Sequence, residues 1–177
     1  LLAEMARITD ELWRVNQPRP HRFVVHRGTA AEIAKAEGRV LDDFSSFQGW
    51  NETGWTNCKA KAEAKDGVLT VVAPRQNGVR DMLGYSKRLE ADLTKASTLM
   101  IRMRADKGAP FGVEWVIDGK LVRLGGYVPA KGDWETLAIS VTGKRAANLT
   151  LILAEGGANA EWAAETVTYQ FDGIWLE

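Results

Sequence analysis

The feature that most constrains this fold is an alternation of apolar and polar residues with a period of two, which starts near residue 41. Short alternating runs recur to the end of the chain, and turn dipeptides such as Asp66-Gly67 and Asp118-Gly119 separate them. Side chains alternate between the two faces of a strand, so these runs indicate strands with one buried face. Because the connections are mostly too short for helical crossovers, residues 41–177 are predicted to form an antiparallel β-sandwich.

Eight strands are predicted in this region, and no helix is predicted between them. The two-residue turn at Asp118-Gly119 also fixes a register for the hairpin around it. The predicted strands cover residues 40–47, 67–73, 97–105, 111–117, 120–128, 134–141, 148–154 and 165–177. The predicted hairpin pairs are Trp115 with Val122 and Val113 with Leu124 on the core face, and Glu114 with Arg123 on the outer face.

Composition excludes several classes of protein. Lys plus Arg and Asp plus Glu both number 23, so bulk charge does not favour a nucleic-acid or anionic-membrane partner. No run approaches the roughly 18 apolar residues of a membrane helix. Cys58 is the one cysteine, and both histidines, His21 and His26, precede the strand region. Residues 41–177 therefore hold no histidine for a catalytic triad or a metal site, which favours a binding unit over a catalyst.

Residues 1–40 are predicted to form a separate helical arm or linker. Leu1, Met5, Ile8 and Leu12 follow a helical spacing, and Pro18 would stop that helix. The apolar stripe of such an arm would pack either on a neighbouring domain or on the β-sandwich. The chain does not begin with Met, and we interpret it as a piece of a longer protein.

Three stretches are similar to jelly-roll carbohydrate-binding modules. They are residues 41–50 (LDDFSSFQGW), residues 132–137 (GDWETL) and residues 169–176 (YQFDGIWL). The resemblance covers about residues 41–177 and implies an all-β jelly roll in which the first and last strands lie together. It also implies a non-catalytic module that binds polysaccharide or oligosaccharide and targets an attached glycoside hydrolase or lyase to its substrate. A secreted protein, extracellular or periplasmic, is implied as well.

The start of the chain carries a second resemblance. Residues 1–15 (LLAEMARITDELWRV) are similar to the final helix of barrel-type glycoside hydrolases. This implies that residues 1–40 are the tail of a covalently linked catalytic domain plus a linker.

The carbohydrate-binding modules often hold a structural calcium between their first and last strands. Asp43, or Asp42, together with Asp172 matches the acidic positions of that pattern. Calcium takes six to eight oxygen ligands, so backbone carbonyls would have to complete the shell. The alternative is that Asp43 and Asp172 are ordinary acids bonded to backbone amides at strand ends.

A sugar-binding site needs an aromatic platform with planar hydrogen-bonding groups beside it. Trp55 and Trp162 lie in polar sequence that is predicted to be loop, where an indole forms either a platform or a local packing contact. Tyr85 and Tyr127, which follow glycines, are further candidates. Three other tryptophans, Trp50, Trp115 and Trp134, are predicted to be core, and Trp175 is predicted to point away from the core.

The arginines supply the planar groups. Arg102, Arg104 and Arg123 would share an outer face with Glu114 if their strands are neighbours, and such a face would suit an acidic polysaccharide. The alternative is a solvated face with surface ion pairs of little energy. Arg80 lies in the polar stretch of residues 75–81, which is either a binding loop or a turn set by Asn77-Gly78.

Two other functions stay open from the sequence. One is a jelly-roll glycosidase or lyase with paired carboxylates, for which Glu114 with Asp118 or Glu135 is the candidate pair. The predicted hairpin counts against this pair because it places Glu114 opposite Arg123. The other is a structural β-sandwich between the domains of a polysaccharide-degrading enzyme, without sugar binding.

Overall fold

The computed structural model of this chain describes residues 40–55, 60–74, 81–106, 109, 111–127, 132–156 and 166–177. All regular elements within these ranges are β-strands, so the predicted all-β fold is confirmed. The predicted helical arm, apart from Val40, lies outside the described residues. The part of the chain that is described contains no helix with the length and apolar character needed to cross a membrane.

Twelve strands are present in the described residues. They are β1 (Val40–Asp42), β2 (Asn51–Trp55), β3 (Lys61–Lys65), β4 (Val68–Pro74), β5 (Asp81–Lys87), β6 (Ala91–Asp92), β7 (Thr98–Ala105), β8 (Phe111–Ile117), β9 (Lys120–Tyr127), β10 (Glu135–Ser140), β11 (Arg145–Gly156) and β12 (Thr166–Leu176).

These strands form two antiparallel sheets. Sheet A has the order β10-β7-β12-β4-β3, and β1 also pairs with β12. Sheet B has the order β2-β5-β11-β8-β9, and β6 also pairs with β11. Val40 lies opposite Trp175, so the first and last described strands are neighbours, as the sequence resemblance implied.

Alternation along β7 illustrates how the core is built. Leu99, Ile101 and Met103 are fully buried. Arg102 and Arg104 lie on the outer face, as predicted, and are partly exposed. The inward faces of the two sheets pack against each other. Their aromatic rings meet across the sandwich, where the ring centroids of Phe111 in sheet B and Phe171 in sheet A lie 5.5 Å apart. Removing this apolar surface from water is the main stabilising contribution to such a fold.

Two hairpins turn at Asp-Gly dipeptides. Asp118 and Gly119 have φ values of 49° and 76°, and Asp66 and Gly67 have values of 53° and 75°. Positive φ at both central residues is the requirement of the tight turn that matches strand twist. The Asp118-Gly119 turn joins β8 to β9, and the Asp66-Gly67 turn joins β3 to β4.

The register of the β8–β9 hairpin agrees with the prediction near the turn. Glu114 lies opposite Arg123, as expected. The predicted pairing of Val113 with Leu124 is wrong, because the register shifts between Val113 and Glu114 and Val113 lies opposite Gly125. A bulge inserts one extra residue into one strand, which alternation alone does not reveal.

Four observed strands, β2, β3, β5 and β6, are absent from the sequence prediction. Residues 51–55 (NETGW) are predicted as loop but form β2, an edge strand of sheet B. Residues 61–65 (KAEAK) form β3 at an edge of sheet A. Asn, Gly, Ala, Glu and Lys are all depleted in strands, so local propensity does not mark these edges.

The strand predicted for residues 40–47 is shorter in the structure, where β1 covers only Val40–Asp42. The chain after β1 instead turns around the buried carboxylate of Asp42. Phe44 has a φ of 50°, which ends the extended backbone. Asp42 Oδ1 accepts a hydrogen bond from Phe44 N at 2.8 Å, and Asp42 Oδ2 accepts from Trp50 Nε1 at 2.9 Å and from Lys87 Nζ at 2.8 Å. Because β1 belongs to sheet A and β5 to sheet B, the Asp42–Lys87 ion pair connects the two sheets.

Candidate functional site

A row of polar side chains crosses the outer face of sheet B, and we call it the polar row. The adjacent residues in the same strands, such as Leu151 and Trp115, are buried in the core, so the row faces outward. All of its members are at least partly exposed. The polar row consists of Asn51, Ser86, Thr150, Glu114 and Arg123, in the order in which they pair across the sheet.

Hydrogen bonds link neighbouring members of the polar row. The hydroxyl oxygens of Ser86 and Thr150 lie 2.7 Å apart. Arg123 Nη1 donates to Glu114 Oε1 at 3.4 Å. The row therefore presents hydroxyl, amide, carboxylate and guanidinium groups side by side on five neighbouring strands.

A second row on the same face has no side chain at three of its five positions. A Cβ added at Gly84 would lie 3.0 Å from Thr53 Cγ2, so no side chain fits there without movement. Ile152, in the middle of the row, is fully buried, so the protein itself covers that point. Glycine within strands often marks a place where a ligand or another backbone approaches closely. The members of this glycine row are Thr53, Gly84, Ile152, Gly112 and Gly126.

Sheet topology brings sequence-predicted candidates to one end of sheet B. Trp55 ends β2, and Tyr127 ends β9 opposite Phe111. Trp55 therefore lies in a strand, not in the predicted loop. For Trp55 and Tyr127 only the backbone is described. Arg80, which directly precedes β5, and Trp162, between β11 and β12 in the sequence, lie outside the described residues.

Tyr85 lies on the core side of β5. Its side chain is only 4% exposed, and its ring meets that of Phe47 edge-on at a centroid distance of 5.7 Å. The Tyr85 hydroxyl donates to Glu52 Oε2 at 3.4 Å at the margin of the core. A ring in this position packs within the sandwich and offers no open platform.

Arg102 and Arg104 do not share a face with Arg123 and Glu114, because their strands are not neighbours, which was the condition for that prediction. Arg102 and Arg104 lie on β7 in sheet A, whereas Glu114 and Arg123 lie on β8 and β9 in sheet B. The chain crosses from one sheet to the other between β7 and β8 instead of forming a hairpin. The two pairs of residues therefore lie on opposite outer faces of the sandwich.

The prediction that Trp134 belongs to the core is wrong, although Trp50 and Trp115 are buried as predicted. Trp134 is partly exposed on the outer face of sheet A. Its ring centroid lies 5.2 Å from Arg102 Cζ and 5.0 Å from Arg104 Cζ. Alternation explains this position, because counting back in twos from the outward residues of β10 assigns Trp134 to the outer face.

The two acidic residues expected to bind calcium have protein partners. Asp172 Oδ2 accepts a hydrogen bond from Arg102 Nη1 at 2.7 Å, and Asp43 Oδ1 accepts one from Ser45 N at 3.1 Å. Within the described ranges no group of three or more Asp, Glu, His or Cys residues is arranged to hold a metal ion. Arg102 competes for Asp172 Oδ2, whereas Asp172 Oδ1 is buried and has no hydrogen-bond partner in the described part of the chain. Because calcium takes six to eight oxygen ligands, Asp43 and Asp172 alone do not make up its shell.

Asp172 provides a prediction about pH. Burial raises the pKa of its carboxyl above the ordinary value of 3.8, and the Arg102 charge only partly offsets that rise. The folded state then binds the proton more tightly than the unfolded chain, so this group costs stability as the pH rises above 3.8. We expect the free energy of unfolding of Asp172→Asn, measured relative to that of wild type by urea unfolding, to increase from pH 3 to neutral pH. A difference that is constant or falls over this range would contradict the assignment.

The carboxylates considered as a glycosidase pair do not meet. Glu114 lies in the polar row of sheet B beside Arg123, whereas Glu135 begins β10 in sheet A. Both oxygens of Asp118 accept from Lys144 N at 3.1 Å, which ties the hairpin turn to the residues before β11. These three residues therefore do not form the pair of facing carboxyls that glycoside hydrolysis requires.

Comparison with known proteins gives no match at the level of sequence. No family model matches the chain, and no curated protein matches it.

Comparison of structures identifies the fold. The family 11 carbohydrate-binding module from Clostridium thermocellum, in complex with a β-1,3-1,4-mixed-linked tetrasaccharide, has a TM-score of 0.54 and 13% identity over 78% of this chain and 94% of that chain. A family 29 carbohydrate-binding module has a TM-score of 0.50 and 10% identity over 78% of this chain and 86% of that chain. A mutant family 29 module has a TM-score of 0.50 and 11% identity over 77% and 89% of the two chains. This chain therefore has the β-sandwich fold of carbohydrate-binding modules.

Proposed function

We propose that this chain is a non-catalytic module that binds polysaccharide or oligosaccharide on the outer face of sheet B. The observation that carries the proposal is the polar row, which crosses five strands of that face. The fold adds support, because the family 11 module of the same fold is in complex with a tetrasaccharide.

The chemistry of the polar row suits sugar hydroxyls, which both donate and accept hydrogen bonds. The Glu114 carboxylate accepts, the Arg123 guanidinium donates, and the Asn51 amide and the two hydroxyls do both. Neighbouring strands lie about 4.8 Å apart, so the row is about 19 Å long. A surface of this length fits several sugar units, and we therefore expect an oligosaccharide to bind more tightly than a single sugar.

We propose that Trp55, at the end of β2, and Trp162 supply the aromatic stacking surface for sugar rings. Arg80 and Tyr127 are proposed as further residues that contact the sugar. The strand position of Trp55 at the margin of the polar and glycine rows supports this assignment. Alanine replacement of either tryptophan is expected to weaken binding, since stacking geometry contributes beyond burial alone.

Affinity electrophoresis in gels that contain agar, xylan, mixed-linkage β-glucan or alginate tests the function. We expect at least one polysaccharide to retard the chain. The double variant Glu114→Ala/Arg123→Ala should weaken that binding about tenfold or more, because hydrogen bonds to charged groups are among the strong ones. Removing both partners also avoids leaving one charge unpaired.

The matched control is Glu63→Ala/Lys65→Ala, which removes one acidic and one basic exposed side chain from β3 of sheet A. This control should bind as wild type does. The proposal fails if no polysaccharide retards the chain, or if the sheet B and sheet A double variants lose affinity equally.

We further propose that the module is covalently linked to a polysaccharide-degrading enzyme and is secreted. The likeness of residues 1–15 to the last helix of barrel-type glycoside hydrolases supports this context. Tethering to the polymer would raise the effective concentration of the linked enzyme at its substrate.

The structural alternative is a β-sandwich that only packs between domains. Trp175 and Met100 form an apolar cluster with Val40 on the outer face of sheet A, but they are only 7% and 9% exposed, so this chain already covers them and they do not favour that alternative. The same gels separate the alternatives, because a purely structural sandwich would bind no polysaccharide.

A further inference from the structure

The outer face of sheet A carries a second group of residues with ligand-binding chemistry, on the opposite side from the polar row. We call it the arginine–tryptophan cluster. Arg102 and Arg104 come from β7, Gln170 and Asp172 from β12, and Trp134 directly precedes β10. The strands β10, β7 and β12 are neighbours in sheet A, so these residues lie close together on its outer face.

Arg104 is held in a fixed orientation. Its Nε donates to Gln170 Oε1 at 2.5 Å, and Gln170 Nε2 donates to Thr70 Oγ1 at 3.1 Å. Gln170 lies directly opposite Arg104 in the strand register, so its amide is anchored at both ends. This arrangement uses the Nε of the guanidinium, and its two Nη groups have no hydrogen-bond acceptor among the described residues.

The charges of the cluster do not cancel. Asp172 forms an ion pair with Arg102 at 2.7 Å. Arg104 has no carboxylate partner in the part of the chain that is described, although its side chain is partly buried. One guanidinium charge is therefore available for an anion, and Arg is the side chain best suited to hold a carboxylate or sulfate in a planar, bidentate geometry.

Trp134 provides a flat apolar surface next to this charge. Both guanidinium carbons lie within 5.2 Å of its ring centroid, and the indole is partly exposed. The contact with two cations fixes the ring against the sheet. An indole so placed offers a stacking surface beside an anion-binding group.

We propose that the arginine–tryptophan cluster binds an acidic sugar, in which a ring carboxylate or sulfate accepts hydrogen bonds from the Nη groups of Arg104 while the ring stacks on Trp134. The inference takes its ligand class from the proposed function but uses a different face of the sandwich. It adds a preference for acidic sugars that the polar row does not supply.

Calorimetric titration at fixed ionic strength tests this site. Two probes are acidic: alginate oligosaccharides carry carboxylates, and sulfated agar-type oligosaccharides carry sulfates. Carboxyl-reduced alginate oligosaccharides, which lack the charge, are the neutral match. We expect wild type to bind at least one acidic probe about tenfold or more tightly than the neutral match, because charge-assisted hydrogen bonds are strong. Arg104→Gln should abolish this difference, and Arg104→Lys should also lose most of it because lysine lacks the planar fork.

Lys65→Gln is the matched control, since it removes one exposed positive charge from the same sheet. It should keep the preference for the acidic probe, and all variants should keep the wild-type unfolding midpoint. Equal loss in Lys65→Gln, or an unchanged preference in Arg104→Gln, would overturn the proposal. If neutral polysaccharides bind through the polar row but no acidic preference exists, only this inference fails. If no sugar binds at all, the proposed function fails with it.

Discussion

Replacing Asp42 with alanine is expected to lower the free energy of unfolding by about 3–5 kcal/mol, the cost of breaking a buried ion pair by removing one partner. Asp42 is only 7% exposed and accepts hydrogen bonds from Phe44 N, Trp50 Nε1 and Lys87 Nζ. The variant leaves all three donors without their acceptor. It also leaves the Lys87 ammonium, whose side chain is 22% exposed, without its counter-charge between the sheets.

Urea unfolding monitored by tryptophan fluorescence measures this effect. Trp50 is buried and donates a hydrogen bond to Asp42, so its fluorescence reports on the site. Glu63→Ala on the exposed face of β3 is the control and should change stability by less than about 0.5 kcal/mol. Lys87→Met keeps the aliphatic stem of the side chain and should cost less than Asp42→Ala, because two neutral donors to Asp42 remain. A loss below about 1 kcal/mol in Asp42→Ala would contradict the view that this carboxylate connects the sheets.

Replacing Gly143 with alanine is expected to cost about 2–4 kcal/mol of stability. An added Cβ would overlap with Ile117 Cγ2 and lie 3.0 Å from Asp118 Oδ2. Ile117 is buried, so it has little room to move. Gly143 also has a φ of 157°, a conformation that residues with a side chain rarely adopt.

Gly119→Ala is the matched control for this prediction. Gly119 has a φ of 76°, but a Cβ there would meet no atom within 4 Å. Its replacement should therefore show the backbone cost alone, about 1 kcal/mol. Equal losses in the two variants, measured by thermal unfolding, would show that the overlap with Ile117 does not matter.

Alternation predicted the strands whose burial pattern is regular. In β7 the residues Leu99, Ile101 and Met103 all face the core, and β8 has the predicted bounds, because its inward residues are large and apolar. Edge strands lack this signal. Ala62 and Ala64 are the inward residues of β3, and two alanines between charged residues do not mark a strand.

The pairing of strands that are not joined by a short turn could not be predicted from the sequence. Glu114 and Arg123 lie on two strands that are joined by a two-residue turn, so their contact was predictable from the hairpin alone. Asn51 and Ser86 meet because β2 and β5 are neighbours, which depends on the whole topology. One signal for the polar row was present, since Thr150 stands between buried Leu149 and Leu151 and must face outward.

The arginine–tryptophan cluster could not be predicted for the same reason, because it forms only through strand pairing. Arg102, Arg104 and Trp134 were each visible in the sequence, but their contact depends on β10 pairing with β7. Period-two counting from Ile139 would have placed Trp134 on the outer face. The tendency of large indoles to be buried gave the opposite expectation.

Sugar binding by sheet B is tested most directly by NMR titration of the chain with an oligosaccharide taken from a polysaccharide that retards it. Amide and side-chain resonances of the polar row on β2, β5, β8, β9 and β11 should shift in a saturable manner, while those of β3 and β4 stay in place. Shifts confined to sheet A, or no saturable shift with any oligosaccharide, would contradict the assignment of the binding face.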